Sequence, residues 1–92
     1  MKPLKPSHRE KKRYLLIRGK GITRNIIEQA IFDFIGILGY AEAGISFITE
    51  KKDEIVLAIN RKSLEKIRAS FLMSEKNIAV VKVSGSLSNV KR

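Results

Sequence analysis

The chain has no cysteine, which excludes disulfides and thiolate metal sites, and its one histidine leaves no basis for a zinc cluster. Missing cysteines do not fix a compartment, but a small domain that relies on its core alone suits a reducing cytosol, so a cytoplasmic protein is expected. No run approaches the ~20 consecutive apolar residues of a membrane helix. No apolar stretch stands where a signal peptide needs one. Leu4 is the only large apolar residue between Met1 and Tyr14, so the N-terminal segment has little to insert into a membrane surface. Catalytic patterns are also lacking. The nine carboxylates are scattered, mostly beside lysines, and no paired-carboxylate, Ser/His or metal-ligand spacing emerges. Gly19 and Gly21 are too few for a phosphate-binding loop, since no third glycine opens the following helix.

Positive charge is what the chain has in excess. Nine of its Lys and Arg residues fall between Met1 and Arg24 against one acid, Glu10, so this quarter carries +8 of a net +10. Leu4 to Arg18 passes from a basic arm into the first apolar run without a break, so the arm is aimed by the strand it becomes. A polyanion, nucleic acid first, is the expected partner. The plainer alternative is a solvated tail that keeps a small basic protein in solution.

Ninety-two residues make one domain with a single core. Residues 1–12 carry Pro3, Pro6 and six charges with no apolar period, and read as an extended arm. A domain is expected over 13–87 and a short basic tail over 88–92. Arg13 to Gly19 reads as a strand covered on both faces, because Tyr14-Leu15-Leu16-Ile17 is continuously apolar. Thr23 is a natural N-cap for a helix running to Leu38, with Ile27, Ile31, Phe34 and Leu38 on its apolar face and Gly39 as its C-terminal cap. Phe32 falls among its polar residues and Ile35 on their edge, predicting an outward aromatic that either meets a protein or lies under a loop. Ile45 to Thr49 and Glu54 to Asn60 read as strands about a charged loop. Lys62 to Met73 reads as a helix with the narrow stripe Leu64, Ile67 and Phe71, capped by Asn60 or Ser63, and Ile78 to Ser84 as the last strand. Strand, helix, strand, strand, helix, strand is the order of an α+β, ferredoxin-like fold with two helices on one face of an antiparallel sheet. The other face is then expected to stay open, with Val56, Ala58 and Asn60 on it and Lys82 joining them. Its third strand lacks the aromatics with which RNA-recognition sheets stack bases, and Tyr14 offers one platform at most.

Leu4-x-Pro6-x-x-Arg9-x-Lys11-x-Arg13-Tyr14 running into Leu15-Leu16, with the closing Val80-Val81-Lys82-Val83-Ser84-Gly85-Ser86-Leu87, resembles the protein component 2 family of archaeal and eukaryotic ribonuclease P. Between these ends the resemblance is one of element order and length. Longer relatives carry extra C-terminal structure, and a short form fits an archaeal source. The resemblance implies a non-catalytic subunit of the ribonucleoprotein that trims the 5′ leader of precursor tRNA. Cleavage would belong to ribonuclease P RNA with magnesium ions, and this chain, binding no cofactor, would pair with protein component 3. RNA contacts are expected from Lys5, His8, Arg9, Lys11, Lys12, Arg13, Arg18, Lys20, Lys82, Lys91 and Arg92, and protein contacts from Phe32 and Ile35, with self-association of two copies a further option. Two other classes stay open: a free-standing or ribosomal RNA-binding domain, and a ferredoxin-like regulatory or interaction domain that binds a small molecule or dimerises through its open sheet.

Overall fold

The computed structural model describes residues 11–90, and the elements follow the expected order with two additions, a 3-10 turn before the second helix and a short helix after the last strand. They are β1 (Lys12–Arg18), α1 (Arg24–Ala43), β2 (Ser46–Lys51), β3 (Glu54–Asn60), a 3-10 turn (Arg61–Ser63), α2 (Leu64–Met73), β4 (Ala79–Ser84) and α3 (Leu87–Val90). The four strands form one antiparallel sheet in the order β2-β3-β1-β4, the ferredoxin-like arrangement.

Strand β1 is central because its side chains can be buried on both faces. Leu15 and Ile17 join Ile55, Leu57 and Ile59 of β3, Ile27, Ala30 and Ile31 of α1 and Ile67 and Phe71 of α2 in the main core. The α2 stripe thus packs as its spacing predicts. Leu16 points the other way and meets Val56. The opposite face is not open: α3 folds across it, burying Val90 to 1% exposure beside Leu16 and Val56, with Tyr14 and Leu87 packed around them. Residues 88–90, the start of the expected tail, thus belong to α3 and to this second layer. A four-residue turn of helix is hidden from periodicity analysis because one apolar face of Leu87 and Val90 is too short to show a period.

Helix α1 departs most from expectation. Thr23 caps it, its hydroxyl accepting from the Ile26 N–H at 3.3 Å. The helix does not end at Gly39 but at Gly44, whose left-handed φ of 60° closes it in the usual glycine fashion. Gly36 breaks it internally, with φ 74° and ψ −177°, a backbone region open essentially to glycine alone. In a continuous helix Glu28 and Tyr40 would lie about 18 Å apart along the axis. Here the Tyr40 hydroxyl donates to Glu28 Oε2 at 2.9 Å, so the chain turns back at Gly36. The periodicity that placed Phe34 and Leu38 inward fails at this break: Ile37 and Leu38 are 77% and 81% exposed, and Phe34 is also exposed.

The expected four-residue loop between β2 and β3 contracts to Lys52-Asp53, with Glu50 and Lys51 paired into the ladder. Asp53 takes φ 60°, which its short polar side chain tolerates. Its carboxylate accepts from the Gly21 N–H at 2.6 Å and its carbonyl from the Gly19 N–H at 3.2 Å, tying the hairpin to the loop before α1.

Gly36→Ala should lower unfolding stability by about 2 kcal/mol, since its added Cβ meets no atom within 4 Å and the cost is that of the backbone conformation. Urea unfolding measures this. A variant as stable as the parent, with the Tyr40 to Glu28 contact intact, would show that the turn tolerates a side chain.

Candidate nucleic-acid interface

Lys5, His8, Arg9, Lys91 and Arg92 lie outside the described residues. The remaining cations expected to meet RNA are spread along the sheet. Lys11, Lys12 and Arg13 stand at the start of β1, while Arg18 and Lys20 lie at and beyond its other end, about 20 Å away at 3.3 Å per residue. Lys82 is exposed on the edge strand β4, opposite Leu16 and so on the α3 face. The structure therefore brings only the first three together.

These cations also differ in availability. Arg18 is paired with its cross-strand neighbour Glu54, Nε to Oε2 at 3.0 Å. Lys12 donates from Nζ to Asn60 Oδ1 at 3.0 Å and to the Gly44 carbonyl at 3.4 Å, while Asn60 Nδ2 donates to the Glu42 carbonyl at 2.8 Å. Asn60 thus does not cap α2, and neither does Ser63. Together Lys12 and Asn60 serve carbonyls at the C-terminal end of α1, where positive charge complements the helix dipole. Arg13 donates from Nη1 to the Lys12 carbonyl at 2.9 Å and lies over Gly85, where a Cβ would come within 3.2 Å. Lys11 and Lys20 are exposed.

Sequence reasoning missed Arg61. Its backbone N–H donates to the Lys11 carbonyl at 2.7 Å, extending the pairing of β1 with β3 by one step. The signal was readable: antiparallel pairing of a strand that begins Lys11-Lys12-Arg13 with one followed by Arg61-Lys62 joins two basic ends. Among the described residues no group of three or more His, Asp and Glu side chains converges in a way that could hold a metal ion. No described helix is long and apolar enough to cross a membrane.

Phe32 and Ile35 belong to a different feature, the last turn of α1 before Gly36. Phe32 is 37% exposed and stacks on Tyr40, with ring centroids 4.3 Å apart and planes 9° from parallel. Ile35 is half-buried and packs against the main core. Around the turn, Glu28 receives the Tyr40 hydroxyl and pairs with Arg24 at 3.6 Å, and the Arg24 guanidinium lies 4.7 Å over the Phe47 ring. This chain of contacts holds the returning half of α1 against the first half and leaves Phe34, Ile37 and Leu38 facing solvent.

No family model matches the chain, and no curated protein does. In fold the chain is similar to one in the cryo-EM structure of yeast ribonuclease MRP, with a TM-score of 0.61 over 86% of this chain and 77% of that one at 12% identity. A likeness at that identity establishes the shared fold.

Burial, reinforced by the hydrogen bond and negative charge of Glu28, pushes the Tyr40 phenol above its ordinary pKa, with Arg24 opposing. The folded state then holds this proton more tightly than the unfolded chain. Its contribution is complete below the unfolded value of about 10 and is lost as pH rises through the folded value. In a spectrophotometric titration, the component lost on Tyr40→Phe should lie above about pH 10, with stability falling over the same range. A component at or below the ordinary value would mean that the Tyr40 to Glu28 contact is not kept in solution.

Proposed function

We propose that the chain is the RNA-binding, non-catalytic protein subunit of a ribonuclease P-type ribonucleoprotein, supporting the catalytic RNA as the 5′ leader is removed from precursor tRNA in the cytoplasm. The observation that carries this reading is a basic arm continuing into the central strand of a fold shared with a chain of ribonuclease MRP. In this reading the RNA with its magnesium ions performs the cleavage. The protein neutralises backbone phosphates that would otherwise repel as the RNA packs, and the pairing of β1 on both edges fixes where the arm starts.

The protein partner in this reading is component 3. Phe34, Ile37 and Leu38 form the surface for it, beside Phe32, because the stretch 34–41 carries no charge and cannot favour RNA. Ile35 supports that surface from the core side.

The full chain should bind a precursor tRNA processing RNA with a log-log salt slope of about −3.5 to −4.5 if roughly five phosphates are contacted. Neutralising Lys5, Arg9 and Lys11 should remove much of that slope and leave the fold intact. A slope near zero in the parent protein would overturn the RNA-binding reading.

Ile37→Ser and Leu38→Ser should each weaken binding to a component 3 homologue by about 2 kcal/mol without lowering stability, as expected of exposed hot-spot residues. Calorimetric titration measures this. RNA binding that persists while component 3 is ignored would instead favour a free-standing RNA-binding domain.

A further inference from the structure

The end of the sheet from which the arm departs holds an electrostatic conflict that the domain does not resolve internally. Lys11 and Arg61 are brought opposite each other by the 2.7 Å backbone hydrogen bond, and like charges placed directly across a ladder repel. Counting along β1 by twos, Arg13 falls on the same face as Lys11, with Ile59 across from it. The pairing thus sets three cations at one end of the sheet, Arg61 at the exit of β3 and Arg13 leaning over Gly85 at the exit of β4. Two arginines elsewhere are neutralised, Arg18 by Glu54 and Arg24 by Glu28 and Glu50, whereas Arg68 stands alone on α2 with no second cation set across from it. Among the described residues no carboxylate pairs with Lys11, Arg13 or Arg61. The one polar contact recorded for the Arg13 guanidinium is to the neighbouring Lys12 carbonyl, which orients the group without cancelling its charge.

Such an arrangement costs stability in isolation and gains it when an anion arrives. Guanidinium groups bind phosphate through a planar fork of donors, so two of them flanking the start of the arm suit successive phosphates of one strand. We infer that Lys11, Arg13 and Arg61 form a folded phosphate-binding site at the root of the arm, taking the backbone of the RNA strand that the arm follows. Arg61, outside the arm and 48 residues beyond Arg13 in the sequence, is its defining member. The inference rests on the RNA-binding function proposed above and locates that function on the folded domain.

The test uses the full chain and a fluorescently labelled precursor tRNA transcript, titrated between about 50 and 200 mM salt. Arg61→Gln should weaken binding about tenfold at the lower salt and reduce the slope by about 0.7 to 0.9, the value of one phosphate contact. Arg61→Lys should restore the slope, because it keeps the charge. Arg68→Gln, an equal charge loss at an exposed position on α2, should change neither quantity. The melting temperature of Arg61→Gln should equal or exceed that of the parent, since a repulsion is relieved and the backbone bond to Lys11 is kept. A parent protein that binds steeply while Arg61→Gln binds just as well overturns this site and leaves RNA binding by the arm standing. Equal losses from Arg61→Gln and Arg68→Gln, or a lowered melting temperature for Arg61→Gln, also overturn it. Absence of salt-dependent binding by the parent overturns the proposed function itself.

Discussion

The antiparallel pairing of β1 with β3, from Lys12 opposite Asn60 to Arg18 opposite Glu54, is the constraint on which the rest depends. It joins two strands that are apolar on both sides, so each of Leu15, Leu16 and Ile17 finds a buried partner at the same level. A slip of one residue would turn every one of these side chains to the opposite face. The same register decides the electrostatics. At one end it sets Arg18 against Glu54, which neutralise each other. At the other it sets Lys11 and Lys12 against Arg61 and Asn60, where Lys12 is absorbed by the end of α1 and the other cations are not.

Both faces of the pair need cover, and the chain supplies it unequally. Two full helices shield one face, whereas four residues of α3 cover the centre of the other, where Leu16 and Val56 are buried with Tyr14 packed beside them. Both edge strands break register at an apolar residue, Ile48 in β2 and Val81 in β4. Such bulges twist an edge away from pairing with a second sheet.

Helix α1 combines strain with fixation. Gly36 takes a backbone conformation that side chains avoid, and the Phe32–Tyr40 stack, the Tyr40–Glu28 hydrogen bond and the Arg24 contacts hold the two halves together around it. The result is an exposed apolar corner at Ile37 and Leu38 beside these contacts. In the proposed reading, a corner fixed in this way lowers the ordering cost of binding a protein partner.

The sequence by itself determined the order of the four strands and two main helices, the double burial of β1, the Thr23 cap, the inward stripe of α2 and the basic charge of the N-terminal quarter. Each is local: a period, a cap or a count that a short window contains. Tertiary structure alone decided the fold-back at Gly36, because a glycine in an apolar helix pattern gives the same period whether the helix continues or breaks. It also decided the cover of the second face, since the burial of Val90 is a property of the sheet it lands on rather than of the four residues around it. The gathering of Lys11, Arg13 and Arg61 lies between the two. Its charges are plain in the sequence, but only the antiparallel register of β1 and β3 brings the start of one strand and the end of the other to one place.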